Sequence, residues 1–136
     1  MIEVATGDYK IAHVPEIIKT SGIGSCIVII LYDPSAKFGA LAHIMLPQKI
    51  ESTLSLMLNE LHTKSNLVAK IYGGANMFPD LWSGDNSIGS LNIKNAREIL
   101  AKLELPIVQE DVGGEHGRSL EFDLENGNVE VLCQKY

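Results

Sequence analysis

Cysteine is scarce in this sequence: only Cys26 and Cys133 occur among its 136 residues, and there is no Cys-x-x-Cys pair. This scarcity excludes a disulfide framework and the paired-thiolate sites of zinc modules. A single bridge between the two cysteines is conceivable, but a cysteine nucleophile would require Cys26 as a free thiol. When His43 and His116 are considered together with the two cysteines, no two of these residues have the short spacing of a metal-binding motif, so we expect no metal site.

Positive charge and long apolar runs are also lacking. Eleven Lys and Arg stand against 17 Asp and Glu, which gives a net charge of -6. This balance argues against a nucleic-acid binder, which needs a basic surface for phosphates, and against an anionic membrane as partner. The N-terminal residues lack the features of a signal peptide, and the run 26–32 is too short to cross a bilayer. We therefore expect a reduced, cytoplasmic protein with no membrane insertion.

What is present is an ordinary globular composition, with 46% hydrophobic and 21% charged residues, which predicts one domain over 1–136. Apolar periodicity and turn residues predict short strands and two helices. The expected strands are 2–5, 9–13, 17–18, 27–32, 39–46, 67–72, 107–112, 119–124 and 129–133, and the expected helices are 52–62 and 92–103. Ser52 could cap the first helix, and 75–90 is expected to be loop. The fold class is therefore mixed α/β (α+β), with layered sheets and two main helices.

The most informative segment places Cys26 at the exit of a Gly-rich turn and His43 in the next apolar strand. A thiol with an imidazole nearby has the parts of a cysteine nucleophile and its base. Glycines before Cys26 would let a substrate approach and could leave backbone N–H groups free to hold an oxyanion. Thr20, at the head of the turn, could orient the imidazole or donate to a substrate amide.

The spacing of this pair is awkward. A simple hairpin through Asp33–Gly39 places His43 opposite residue 29, three residues along the strand from Cys26. Three residues of strand span about 10 Å, which is too far for a hydrogen bond. In that register the two side chains meet only if a bulge shifts the pairing or if the strands are not simple neighbours.

Each feature also has a purely structural interpretation. A free cysteine usually only packs, and a histidine in an apolar strand is more often a satisfied core residue than a base. The pair Gly73-Gly74 could line an active site, or it could be a tight turn with Phe78 as a packing anchor. The flexible turn 113–119 could place Arg118 and Ser119 near a substrate or a partner.

Motifs along nearly the whole chain resemble those of the CheD family, the chemoreceptor glutamine deamidases of prokaryotic chemotaxis. The stretches that carry the resemblance are Thr20-Ser-Gly-Ile-Gly-Ser-Cys26, Leu31-Tyr-Asp-Pro34, Gly39-Ala-Leu-Ala-His43-Ile-Met-Leu-Pro47, Ala69-Lys-Ile-Tyr-Gly-Gly-Ala-Asn-Met-Phe78, Ile88-Gly89, Asn92, Glu110-Asp111, Gly113-Gly114 and Gly117-Arg118-Ser119. The pairing of Gly-x-Gly-Ser-Cys with Ala-His-x-Met-Leu-Pro at this spacing is specific.

The resemblance implies a cysteine hydrolase whose fold is related to that of bacterial glutamine-deamidating toxins. Its substrate would be a glutamine or methylglutamate side chain on the cytoplasmic helices of a chemoreceptor, and no organic cofactor would be needed. Carried over by position, Cys26 is the nucleophile, His43 the general base and Thr20 the third member. The expected substrate- or oxyanion-binding residues are Gly24, Ser25, Gly73 and Gly74. A CheC-type phosphatase of the response regulator CheY is the expected protein partner.

The chain departs from the family pattern between Pro47 and Ala69, where it looks shorter, and this leaves receptor docking through 48–66 open. One alternative is therefore a non-catalytic binding module that stimulates the phosphatase. Another is a transamidase that shares the thioester chemistry and differs in its acceptor.

Overall fold

The computed structural model describes residues 1–63, 65–81 and 86–134 of the chain. The elements in these ranges are β1 (Ile2–Glu3), β2 (Tyr9–His13), β3 (Ile17–Ile23), β4 (Ile27–Asp33), β5 (Phe38–Ile44), a 3₁₀ turn (Pro47–Lys49), α1 (Ile50–Leu61), β6 (Val68–Gly73), α2 (Ile88–Lys102), β7 (Ile107–Val112), β8 (Gly117–Asp123) and β9 (Val129–Gln134). The predicted mixed architecture with two helices is confirmed. No helix in the described ranges has both the length and the apolar character needed to cross a membrane.

The strands form two sheets. One has five strands in the order β2-β5-β4-β6-β7, and the other has four in the order β1-β3-β8-β9. Most neighbours run antiparallel, while β6 with β7 and β1 with β3 run parallel. The two sheets and the helices stack as three layers, with the five-stranded sheet in the middle.

Strand β4 shows why the sequence carries its longest apolar run here. Every residue of the strand is buried. Ile27, Ile29 and Leu31 pack on the side of the two helices, whereas Val28 and Ile30 pack toward the four-stranded sheet. A strand covered on both faces does not alternate between apolar and polar residues, so β4 is apolar from Ile27 to Leu31 without interruption.

The two helices begin earlier than the sequence predicts. Helix α2 begins at Ile88, inside the stretch expected to be loop, because the Ser87 side chain caps it by accepting a hydrogen bond of 3.1 Å from the Ser90 amide. Residues 82–85 of that stretch lie outside the described ranges. Helix α1 begins at Ile50 with Lys49 at the cap position, and the Ser52 hydroxyl donates to the Lys49 carbonyl. The prediction that Ser52 caps α1 is therefore wrong.

The register between β4 and β5 differs by one residue from the simple hairpin. Val28 lies opposite His43, and the ladder closes with Asp33 opposite Phe38. The predicted partner, residue 29, is therefore wrong. The Asp33 carboxylate accepts hydrogen bonds from the Ser35 and Ala36 amides, which stabilises the connecting turn at this length.

Candidate active site

Thr20 reaches the space between the sheets at a bulge in β3. Thr20 pairs with Leu120, but the next pair is Ile23 with Arg118, so β3 carries one residue more than β8 over this interval. Gly22, with φ of +68°, supplies the left-handed conformation that the irregularity requires. Thr20 is 4% exposed, and the bulge keeps both Thr20 and Ile23 buried.

His43 meets Thr20 across the gap between the two sheets. His43 is completely buried, and its Nδ1 lies 2.8 Å from Thr20 Oγ1. The Thr20 hydroxyl donates its one proton to the Val4 carbonyl at 2.7 Å. The hydroxyl must then accept from the imidazole, so the proton of neutral His43 sits on Nδ1. The Nε2 atom is therefore a free lone pair, and it has no hydrogen-bond partner among the described residues.

Cys26 lies diagonally across the ladder from His43. It comes two residues before Val28, the residue opposite His43. The Gly74 amide donates to the Cys26 carbonyl at 2.7 Å, which continues the β4–β6 ladder through Cys26. Because side chains alternate along an extended chain, Cys26 projects from the same face as His43. Diagonal Cβ atoms lie roughly 7–8 Å apart, which suits a thiol and an imidazole pointing toward one another.

Burial keeps this pair neutral. Burial raises the pKa of the Cys26 thiol above 9.0, although its own backbone amide partly offsets that effect. Burial lowers the pKa of His43 below 6.5. Near pH 7 the geometry therefore combines a protonated thiol with a neutral imidazole that presents a basic nitrogen.

The four residues expected to bind substrate or an oxyanion, Gly24, Ser25, Gly73 and Gly74, lie around Cys26, but their backbone amides differ in whether they are already hydrogen-bonded. Gly73 allows close approach, because a Cβ atom there would lie 2.3 Å from the Cys26 carbonyl oxygen. The amide of Gly74 is occupied by that same carbonyl. By contrast, the described residues offer no main-chain acceptor to the amides of Gly24 and Ser25. The last two are the amides that can turn toward a substrate oxygen.

A small, mostly apolar cavity of about 160 Å³ opens beside Ser25. Its lining comes from the turn after β6 and from the start of α2: Ser25, Ala75, Asn76, Met77, Phe78, Ser87, Ile88 and Gly89. A larger cavity of about 730 Å³ lies along β1, β3, β8 and β9, and Cys26 and His43 are absent from its lining. Cys26 and His43 are absent from the lining of the smaller cavity as well, and Thr20 lines the larger one. The smaller cavity is the candidate substrate site because Ser25, the residue directly before Cys26, lines it.

Arg118 is buried rather than presented to solvent. One of its nitrogens donates to the Asp111 carboxylate at 3.2 Å and to the Gly113 carbonyl at 3.0 Å. Gly113 in turn donates to the Gly73 carbonyl, so Arg118 supports the turn beside Cys26. Cys133 is exposed, and neither it nor Cys26 is in a disulfide. Within the described ranges, no three His, Cys, Asp or Glu side chains are grouped so that they could hold a metal ion.

Sequence reasoning gave no role to Asn92, although this residue is completely buried next to the site. The buried positions of α2 are Gly89, Asn92, Ala96 and Leu100, a spacing that marks one helix face. A carboxamide on an otherwise small or apolar face was the signal that could have singled it out.

Comparison with known proteins agrees with the motifs. Residues 35–133 match the family model described as CheD chemotactic sensory transduction. A probable chemoreceptor glutamine deamidase CheD of Caldanaerobacter subterraneus subsp. tengcongensis is 38% identical, over 96% of this chain and 91% of that protein. The chemoreceptor glutamine deamidase CheD of Bacillus licheniformis is 35% identical, over 99% of this chain and 91% of its own length. These alignments run over 148 and 153 positions, so the relatives carry residues that this 136-residue chain lacks.

One solved structure shows the same fold. The crystal structure of the Bacillus licheniformis hypothetical protein YfiH aligns with a TM-score of 0.50 and 13% sequence identity. The match covers 79% of this chain and 49% of that one. At this identity the likeness concerns the layered α/β fold alone.

Proposed function

This chain belongs to the CheD family, and from that membership we propose that it is a protein-glutamine deamidase that acts on chemoreceptors through Cys26, His43 and Thr20. The observation that carries the site assignment is the buried Thr20–His43 hydrogen bond, which leaves Nε2 of the imidazole free on the face that Cys26 shares. The proposed setting is the cytoplasm, where the signalling helices of such receptors lie.

The first half of the reaction forms a thioester. Cys26 Sγ attacks the carboxamide carbon of the glutamine side chain while His43 Nε2 accepts the thiol proton. The amides of Gly24 and Ser25 hold the developing oxyanion. The imidazolium then gives its proton to the departing nitrogen, and ammonia leaves. With a methylglutamate side chain, the same proton goes to the leaving methoxide, and methanol departs.

The second half hydrolyses the thioester. Water attacks its carbonyl carbon, His43 Nε2 accepts a proton from that water, and the Cys26 thiol is restored as it leaves. Glutamate is the product. The hydrogen bond from Nδ1 to Thr20 stabilises the imidazolium in both halves, and the Thr20 hydroxyl keeps its own proton, which it donates to the Val4 carbonyl throughout.

The experiment for the activity uses a purified cytoplasmic fragment of a chemoreceptor. Incubation with the protein should release ammonia and raise the fragment mass by about 1 Da per converted glutamine. Peptide mapping identifies the positions. A fragment that gains no mass, with no ammonia released, would refute the deamidase assignment.

Thr20→Val should lower kcat about 10- to 100-fold with little change in KM, because the imidazole loses the acceptor that orients it. It should also lower the free energy of unfolding by about 1–3 kcal/mol, since the Val4 carbonyl and His43 Nδ1 become unpaired. Thr20→Ser, which keeps the hydroxyl, is the matched control. If Thr20→Val has the same kcat as Thr20→Ser and wild type, the Thr20 hydroxyl takes no part in the mechanism.

The acid limb of the pH profile should fall below pH 6.5. Only neutral His43 can accept the thiol proton, and burial lowers its pKa, so protonation stops the reaction at a lower pH than for a free imidazole. We expect kcat/KM at pH 6.5 to exceed half of its value at pH 8. A half-maximal rate at or above pH 6.5 would contradict a buried base.

The proposed protein partner is a CheC-type phosphatase that docks at the mouth of the cavity. Two exposed apolar side chains that line the cavity, Phe78 and Ile88, support an interface there. Leu81, whose amide donates to the Phe78 carbonyl, is exposed as well, and so are Met45 and Leu46 after β5. A receptor helix binding over the same mouth would compete with the phosphatase. Competition between a receptor fragment and the phosphatase for this protein would support a shared surface, and simultaneous binding of both would refute it.

A further inference from the structure

Asn92 connects the two segments that carry the proposed nucleophile and base. Its Nδ2 donates to the Ser25 carbonyl at 2.8 Å and to the Met45 carbonyl at 3.2 Å. Ser25 directly precedes Cys26, and Met45 follows His43 by two residues. One buried carboxamide therefore joins the backbone before the thiol to the backbone after the imidazole.

The orientation of this carboxamide is determined by its partners. Both are carbonyl oxygens, so the NH₂ group must face them. The Oδ1 atom is left buried without a hydrogen-bond partner among the described residues. A buried acceptor without a partner destabilises the fold, so stability alone does not account for this arrangement.

Helix α2 holds Asn92 in a fixed place relative to Cys26. One turn before Asn92, a Cβ atom at Gly89 would lie 2.4 Å from the carbonyl oxygens of Gly74 and Ala75. The helix backbone thus packs directly on the turn after β6. That turn is bonded to the Cys26 carbonyl through the Gly74 amide. The helix that carries the Asn92 carboxamide therefore packs on the same turn that is hydrogen-bonded to the Cys26 backbone.

We propose that Asn92 is a positioning residue of this site, one that sets the alignment of the Cys26 thiol with His43 Nε2. This inference rests on the proposed deamidase function. The β4–β5 ladder ends at Ile27 and Ile44, so beyond it the two Asn92 hydrogen bonds are what join the turn before Cys26 to the chain after β5. Small displacements of reacting groups cost rate far more than they cost binding.

The test compares Asn92→Ala with Asn95→Ala, a matched change on the same helix at a half-buried position outside the site. Assays are run well below the unfolding temperature of each variant. We expect Asn92→Ala to lower kcat about 10- to 100-fold with KM within about threefold of wild type, and Asn95→Ala to stay within about twofold for both. Asn92→Ser keeps one hydrogen-bond donor, so its kcat should lie between those of the two alanine variants. It replaces Asn92→Ala in the comparison if that variant does not fold.

A second readout separates alignment from folding and from the deamidase assignment. Alkylation of Cys26 by iodoacetamide near pH 7 should slow in Asn92→Ala and in Asn92→Ser, because the thiol loses its aligned base. This rate needs no receptor, so it reports on Asn92 even if the receptor fragment proves not to be a substrate. If folded Asn92 variants alkylate and turn over like Asn95→Ala, with only the unfolding temperature lowered, Asn92 is structural and the proposal is wrong.

Discussion

Cys26→Ala should abolish ammonia release from a chemoreceptor fragment, with kcat reduced about 10⁴- to 10⁶-fold. The reason is that the proposed mechanism passes through a thioester on Sγ, and no other group near the cavity can form it. The substitution removes one atom from a half-buried side chain, so the unfolding temperature should change little. The measurement is the initial rate of ammonia release at saturating substrate.

Cys133→Ala is the control for that experiment. Cys133 is the second cysteine of the chain and is exposed on β9, where it pairs with Arg118 of β8. Its removal should leave kcat unchanged. A Cys26→Ala protein that still releases ammonia at more than about one hundredth of the wild-type rate would rule out the thioester route.

His43→Gln should lower kcat about 10²- to 10⁴-fold, the usual contribution of a general base. Glutamine fills most of the space and can still donate a hydrogen bond toward Thr20, but it cannot accept the thiol proton. The pH profile should change as well: activity that remains should rise with pH, because the thiolate then forms without help. The rate of ammonia release from pH 6 to pH 10 measures both effects.

His13→Gln is the matched control for the imidazole. His13 is an exposed histidine at the end of β2, and its replacement should leave the rate and the pH profile as in wild type. If His43→Gln retains the wild-type acid limb, His43 is a core residue and another group is the base.

The sequence offered Cys26 and His43 as a candidate nucleophile and base, but it placed them in the wrong register. Asp33-Pro34 indicated a turn, but which residues pair depends on where β5 begins. A difference of one residue in that start decides which face of the sheet carries the His43 side chain. With His43 opposite residue 29, the imidazole would lie on the helix-facing side, away from Cys26. With His43 opposite Val28, it lies on the side of the thiol. A shift of one residue exchanges the two faces of a strand.

The sequence could not predict contacts between the two sheets, such as the one between Thr20 and His43. Thr20 and His43 belong to different sheets, and their hydrogen bond depends on how the sheets stack and on the bulge at Gly22. Periodicity reports which face of an element is buried, but it does not report what packs against that face. The sequence offered Thr20 as a residue that could orient the imidazole, from its place in the turn and from the family motif, but the contact with His43 Nδ1 and the tautomer of His43 came from the structure.

Periodicity also failed to predict where α2 begins and what Asn92 contacts, because both depend on packing against other segments. The stretch 75–90 is rich in glycine and polar residues, and this composition hid the first turn of the helix. That turn is stabilised by the Ser87 cap and by the packing of Gly89 on Gly74 and Ala75. Such backbone contacts leave no hydrophobic pattern in a sequence.

The most direct test of a cysteine nucleophile with a neutral imidazole base is the pH dependence of Cys26 alkylation by iodoacetamide. It is measured in Cys133→Ala protein with and without His43→Gln. With His43 present, alkylation near pH 7 should be at least about tenfold faster. The two rates should converge as pH rises past the raised pKa of the thiol. Equal rates at pH 7 would show that the imidazole does not assist the thiol, which would contradict the Cys26–His43–Thr20 site.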